Sequence, residues 1–159
     1  VQSITIGTLN LLESCRMLKK SPRVYYAGSS EAFGNTNGIK ASEKTLFHPQ
    51  SPYGVAKASA FWMVDNYRNA YNLFACTGIL FNHESPRRGF EFVTRKISSS
   101  VAKIKHGKQK YLFLGNIYAK RDWGFAGDYV EVIWKMMQYK KPTDFVVSTG
   151  KTFTIKKKL

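Results

Sequence analysis

The sequence predicts an α/β fold in which a mostly parallel sheet is covered by helices. Segments with helical periodicity alternate with short apolar runs through most of the 159 residues, the order typical of β-α-β units. The apolar runs are hydrophobic at nearly every position, as in parallel strands that are buried on both faces. No repeat or linker interrupts this pattern, so we expect a single domain over residues 1–159.

The first predicted helix covers residues 1–20. Aliphatic side chains recur there with a helical period, and Lys19-Lys20 suits a helix C-terminus. Pro22 then ends the helix. A β-branched and aromatic strand is expected over residues 23–28, with Ser-Ser-Glu at 29–31 directly past its carboxyl end.

The second predicted helix follows a polar loop at 33–51 and runs from residue 52 to about 72. Ser51 suits the N-cap and Pro52 the first helical position. Tyr53 and Lys57 stand four apart and therefore share one helix face. A nearby ammonium stabilises a phenolate, which would make the tyrosine usable as a base near neutral pH. The spacing alone also fits an ordinary surface pair, so it leaves both interpretations open.

The remaining elements follow the same alternation. We expect a strand at 73–81, a polar turn at 82–91, a helix at 92–106, a strand at 110–114, a loop at 120–124, a helix at 128–139 and a strand at 145–148. In open α/β sheets, ligands bind beyond the carboxyl ends of the strands. Ser29, Glu31, Asn82 and His83 all follow predicted strands, and they could converge on one crevice with the Tyr–Lys pair.

Composition excludes several classes of protein. A hydrophobic content of 43% indicates a globular chain. No apolar run reaches the roughly 18 residues of a membrane span, and no secretory leader opens the chain. Cys15 and Cys76 have no metal-ligand spacing, so we expect buried free thiols, no metal site and a cytoplasmic location.

The formal charge of +15 is large. Residues 95–110 carry six Lys or Arg side chains and no acid. Nucleic acid or an anionic membrane would suit such a surface, and so would the diphosphate of a small nucleotide. Solvated helix faces are the ordinary alternative. We expect no membrane partner and no nucleic-acid partner.

A Gly-rich phosphate loop is missing from the chain. Dinucleotide-binding folds open with a strand, a Gly-rich turn and a helix that hold the pyrophosphate. None of the 12 glycines forms such a turn. We therefore expect a partial cofactor domain, or a fragment of a longer protein.

Several motifs, in order, resemble the GDP-mannose 4,6-dehydratase family of the extended short-chain dehydrogenase/reductase superfamily. They are SSE at 29–31, Tyr53 with Lys57, GILFNHESPRRG at 78–89, FVTRKI at 92–97 and KRDWG at 120–124. The resemblance implies a truncated, Rossmann-like, doubly wound and mostly parallel sheet. It also implies a partial NAD(P)-binding domain whose sugar-nucleotide segments lie at about 82–125.

The resemblance further implies a reaction. Such enzymes convert GDP-mannose to GDP-4-keto-6-deoxymannose and water, with transient reduction of NADP, in the biosynthesis of GDP-fucose and other GDP-deoxysugars. By this resemblance Tyr53, assisted by Lys57, deprotonates the 4-hydroxyl, and Glu31 removes the C5 proton and helps to expel the 6-hydroxyl. Ser29 would hydrogen-bond the reacting oxygen.

The resemblance also assigns ligand contacts. It places Lys57, His83 and Arg88 at the cofactor; it places Asn82, Lys96 and Arg121 at the GDP-sugar, where a guanidinium suits a diphosphate. The complete enzyme is expected to be a homo-oligomer. Trp123 and Trp134 are expected to be packing residues.

Two other functions stay open at this point. The chain could belong to a nucleotide-sugar epimerase or another dehydratase of the superfamily, although these do not usually carry the Glu two residues after the Ser. It could also be an inactive basic polypeptide. Without the resemblance, Glu31 would be read as a solvated residue and His83 as a structural one.

Overall fold

The computed structural model describes residues 2–20 and 22–158. The helices and strands are α1 Gln2–Met17, β1 Val24–Ser29, α2 Pro52–Tyr71, β2 Ala75–Leu80, β3 Asn82–Glu84, α3 Val93–Lys105, β4 Lys120–Phe125, α4 Ala126–Gln138, β5 Phe145–Val147 and β6 Thr152–Thr154. Short 3-10 turns cover Ser30–Ala32 and Ile155–Lys158. The chain divides into two compact units, residues 1–81 with 129–147, and residues 82–128 with 148–159.

The first unit is a parallel sheet in the order β1-β2-β5 with helices on both faces. One core, built around Leu12 and Val64, joins the sheet to α1 and α2. The other, around Cys76 and Met136, joins it to α4. Ala75 belongs to the first core and Cys76 to the second because successive strand residues face opposite sides. The predicted α/β architecture with a doubly wound parallel sheet is confirmed.

The helix α2 begins as its local sequence predicts. The Ser51 hydroxyl accepts a hydrogen bond of 3.0 Å from the Gly54 amide, and Pro52 occupies the first turn. The helix ends at Tyr71 and is capped by Asn72, whose backbone is left-handed (φ 53°). The observed bounds lie within one residue of those predicted.

The second unit contains two segments whose strands the sequence-based prediction missed. The expected turn at 82–91 contains β3, and the expected loop at 120–124 is β4. β3 pairs in parallel with β4, and β4 pairs antiparallel with β6. Both segments are polar, so their strand character comes from backbone pairing with distant residues rather than from local propensity.

The strand predicted at 110–114 is wrong. The apolar residues there have no ladder partner among the described residues, although they alternate between more and less exposed positions. Tyr111 and Phe113 are 60% and 78% exposed and pack against each other, with ring centroids 6.3 Å apart. A residue with high β-propensity fits well on a paired, half-buried strand. This preference does not form a strand when the segment has no partner strand.

Three smaller expectations have mixed outcomes. The helix α1 ends at Met17 instead of residue 20, and the side chain of Leu18 is exposed. Trp123 is buried as expected, but Trp134 is 63% exposed, so its predicted packing role is wrong. This residue lies on the face of α4 that does not meet the sheet.

The cysteines agree with the prediction. Cys15 and Cys76 are free and buried. Burial raises the pKa of the Cys76 thiol to about 11, with a smaller contribution from the nearby Asp144 carboxylate. Such a thiol is poorly reactive at neutral pH.

Asp144, directly before β5, should be a main electrostatic support of the first unit. Its carboxylate accepts hydrogen bonds from the Arg68 guanidinium at 2.7 Å and from the Thr77 amide at 2.6 Å. We expect Asp144→Ala to lower the free energy of unfolding by about 2–4 kcal/mol, because it leaves a buried N–H without its acceptor and leaves the largely buried Arg68 guanidinium with only the longer contact of 3.3 Å to Asp65. Urea denaturation measures this change. The control Glu131→Ala removes an exposed ion pair with Lys135 and should cost less than about 1 kcal/mol; equal losses would contradict the assignment.

Candidate active site

The carboxyl end of β1 turns sharply at the predicted catalytic serine. Ser29 is the last residue of the strand, and its hydroxyl accepts a hydrogen bond of 3.3 Å from the Glu31 amide. This bond caps the 3-10 turn Ser30–Ala32. Glu31 is consequently exposed at the carboxyl edge of the sheet, the edge at which ligands bind in α/β folds.

The first two turns of α2 carry the Tyr–Lys pair. The Lys57 ammonium lies 5.7 Å from the centroid of the Tyr53 ring, so the two side chains share one face as predicted. It also donates a hydrogen bond of 2.8 Å to the Ala27 carbonyl. Burial lowers the pKa of Lys57. Tyr53 is 48% exposed, so its hydroxyl is open to a ligand.

A direct backbone contact joins the Glu31 turn to the start of α2. A Cβ atom added at Gly54 would lie 2.7 Å from the Glu31 carbonyl oxygen and 3.1 Å from the Pro49 Cβ. Only glycine therefore allows this approach. The contact brings the segments of Ser29, Glu31, Tyr53 and Lys57 together in the first unit.

Gly54→Ala should disturb this contact. We expect a loss of about 1–3 kcal/mol in the free energy of unfolding because the obstructing atom belongs to the backbone and cannot turn away. Gly7→Ala in α1 is the matched control. A Cβ atom there meets nothing within 4 Å, so the better helix propensity of alanine should stabilise the chain by roughly 0.5–1 kcal/mol. Thermal unfolding compares the two, and stabilisation by both substitutions would contradict the contact.

The loop between the turn Ser30–Ala32 and α2 is held by aromatic packing that the sequence did not reveal. The Phe47 ring lies 5.3 Å from Phe33, which is buried, and 4.8 Å from Phe61 on α2. The His48 amide donates to the Ala32 carbonyl, and the Glu43 carboxylate accepts from the Val146 amide. Most residues of this loop are polar, so Phe47 alone formed no hydrophobic pattern that would predict its packing.

The second unit carries the remaining predicted ligand residues. Asn82 and His83 lie on β3, opposite Trp123 and Gly124 of β4. Arg121 is exposed on β4, where its guanidinium donates a hydrogen bond of 2.8 Å to the Lys120 carbonyl. Lys96 is exposed on α3.

Arg88 lines an open cavity of about 210 Å³ together with Glu84, Ser85, Thr94, Arg95 and Ser98. Its guanidinium carbon lies 3.5 Å from the centroid of the Phe92 ring, and its Nε lies 3.3 Å from the Glu84 carboxylate. Thr94 donates a hydrogen bond of 2.5 Å to the same carboxylate. The sequence analysis did not single out Glu84. Its position four residues before Arg88 could have indicated an ion pair between the two.

The chain matches a known protein family along its whole length. The sequence model of the family described as GDP-mannose 4,6 dehydratase matches residues 1–159. The chain belongs to this family. It is 55% identical over 157 residues to GDP-mannose 4,6 dehydratase 1 of Arabidopsis thaliana and 54% identical over 153 residues to the Homo sapiens protein. These matches cover 96% and 95% of the chain, but 43% and 41% of the two relatives.

Solved structures agree on the fold of this GDP-mannose 4,6 dehydratase family member. The RMD protein of Pseudomonas aeruginosa, solved with NADPH, matches with a TM-score of 0.91 and 24% identity over 98% of this chain and 54% of that one. The dTDP-glucose 4,6-dehydratase of Bacillus anthracis, solved with NAD, matches with a TM-score of 0.87 and 23% identity over 98% and 49%. At this identity the likeness shows the fold.

Within the described residues, 2–20 and 22–158, no helix is long and apolar enough to cross a membrane. No three His, Cys, Asp or Glu side chains in that part of the chain are grouped as metal ligands.

Proposed function

We propose that this chain carries the catalytic residues of an NADP-dependent GDP-mannose 4,6-dehydratase. The chain spans about two fifths of the length of its curated relatives, so the activity is proposed for a protein that includes the rest. The observation that supports it most is the Gly54 contact, which brings the start of α2, the helix that carries Tyr53 and Lys57, against the turn that carries Glu31. We further propose a cytoplasmic homo-oligomer.

The donor set fits a nicotinamide nucleotide. An exposed phenol and a half-buried ammonium stand together near the carboxyl edge of a parallel sheet, and both can donate to the hydroxyls of a ribose. We propose that Lys57, His83 and Arg88 contact the cofactor. When bound, NADP supplies reversible hydride transfer.

The first chemical task falls to Tyr53 and Ser29. The Tyr53 oxygen, as the phenolate, takes the proton of the mannose 4-hydroxyl as C4 is oxidised to a ketone. The charged Lys57 stabilises that phenolate. The Ser29 hydroxyl donates a hydrogen bond to the 4-oxygen and holds it in place.

The second task falls to Glu31. The 4-ketone acidifies the C5 hydrogen, and the exposed Glu31 carboxylate removes it as a proton. The same carboxyl group then protonates the 6-hydroxyl, which leaves as water. Reduction at C6 and return of a proton to C5 complete the 4-keto-6-deoxy product.

The charge of the second unit supports a diphosphate substrate. Residues 82–128 and 148–159 contain fourteen Lys and Arg against four Asp and Glu, a net charge of +10. We propose that Asn82, Lys96 and Arg121 contact GDP-mannose. The exposed guanidinium of Arg121 would bind the diphosphate. The excess of basic side chains would favour the approach of an anionic nucleotide.

A chimera tests the proposal. It joins residues 1–159 to the flanking segments of the Homo sapiens relative and is assayed with GDP-mannose, UDP-glucose and dTDP-glucose in the presence of NADP. We expect a 4-keto-6-deoxy product from GDP-mannose only. Preference for either of the other sugars would reject the proposal in favour of another superfamily enzyme. A well-folded chimera that binds polyanions only, in a salt-sensitive manner, would favour an inactive basic polypeptide.

A further inference from the structure

We propose that Tyr26 is a positioning residue whose ring, together with the ring of Tyr53, forms a two-ring clamp around the Lys57 ammonium. The clamp is thus Tyr26 on β1 and Tyr53 on α2. Its consequence for catalysis rests on the proposed function, whereas its effect on Lys57 can be measured without any turnover.

The geometry of the ammonium carries this inference. The Lys57 Nζ lies 5.2 Å from the centroid of the Tyr26 ring and 5.7 Å from that of Tyr53. Both distances are within the range of about 6 Å in which a cation is attracted to an aromatic face. The hydrogen bond of 2.8 Å to the Ala27 carbonyl fixes the ammonium from a third side.

The environment of Tyr26 indicates that the ring face matters more than the hydroxyl. The hydroxyl is buried, and it has no hydrogen-bond partner among the described residues. A buried phenol usually finds such a partner. Burial also raises the pKa of Tyr26 well above its usual range, with a smaller contribution from Tyr53. The ring therefore faces Lys57 as a neutral aromatic surface.

The electrostatic support of the Lys57 ammonium comes from the Ala27 carbonyl and from the two aromatic rings. Burial lowers the pKa of Lys57 and so opposes its charge. No carboxylate of the described residues lies within ion-pair distance of its ammonium; Glu31 belongs to the turn that packs on α2, and Glu13 on α1 pairs with Arg16. Attraction to the aromatic faces favours the charged form, the form that assists Tyr53.

The test titrates Lys57 in the 159-residue chain. Lysine labelled with ¹³C at Cε is followed by NMR from neutral to alkaline pH, and Lys57→Arg assigns the signal. We expect Tyr26→Leu to lower the pKa of Lys57 by about one unit, a tenfold weaker proton affinity. Tyr26→Phe keeps the ring face and should stay close to wild type. Tyr25→Leu is the control, since Tyr25 packs on the opposite face of β1 with the α4 core.

A second substitution covers the case in which Tyr26→Leu does not fold. Pentafluorophenylalanine at position 26 keeps the shape of phenylalanine but inverts the charge distribution of the ring, so it should lower the pKa of Lys57 relative to Tyr26→Phe. Unchanged titration with the fluorinated ring, or equal shifts for Tyr26→Leu and Tyr25→Leu, would overturn the clamp. Failure of the chimera to turn over GDP-mannose would reject the proposed function and leave this titration unaffected.

Discussion

Tyr53→Phe is expected to lower the turnover of GDP-mannose by the chimera about 10²–10⁴-fold, the usual contribution of a positioned acid or base. The substitution removes one oxygen and keeps the ring that contacts Lys57. The base of the first step is thereby lost, while the fold is retained. Initial rates with GDP-mannose and NADP measure the effect.

The same helix offers a matched control. Tyr71 lies in the last turn of α2 and is 48% exposed, as is Tyr53. Tyr71→Phe should therefore leave turnover within about twofold of wild type, since a surface substitution away from special features has little effect. Equal losses for the two variants, or full activity of Tyr53→Phe, would contradict the role of Tyr53.

Glu31→Gln should have a comparable effect on a different step. An amide cannot take the C5 proton, so we expect dehydration to fall about 10²–10⁴-fold while the affinity for NADP is retained. Exchange of the C5 hydrogen with D₂O, followed by mass spectrometry, isolates this step and should be lost. Glu131→Gln, on an exposed position of α4, is the control for the loss of a charge. Unaltered turnover of Glu31→Gln would remove Glu31 from the mechanism.

Sequence reasoning succeeded where the determining interactions are local. Ser51, Pro52 and the following small and apolar residues define the start of α2 within a few positions of the chain. The shared face of Tyr53 and Lys57 follows from helical geometry alone. The alternation of helices with apolar strands likewise predicted the parallel sheet of the first unit.

Sequence reasoning failed where a partner lies far along the chain. β4 is polar and becomes a strand by pairing with β3 and β6, whereas the more apolar segment at 110–114 has no such partner among the described residues. The approach of Gly54 to Glu31 depends on the path of the loop between them. The approach of Tyr26 to Lys57 depends on the packing of α2 against β1. Neither contact leaves a periodic signal in the sequence.

The most direct test of the proposed activity follows the hydrogen at C4 of GDP-mannose through the reaction. GDP-mannose that carries deuterium at C4 is converted by the chimera in the presence of NADP, and the position of the label in the product is read by NMR. Because the hydride that leaves C4 to NADP would return to C6 of the same sugar, while residues of this chain move the protons, we predict deuterium at C6. A 4-keto-6-deoxy product without deuterium at C6 would contradict the proposed function. So would a product that keeps its 6-hydroxyl and carries the deuterium at C4 again.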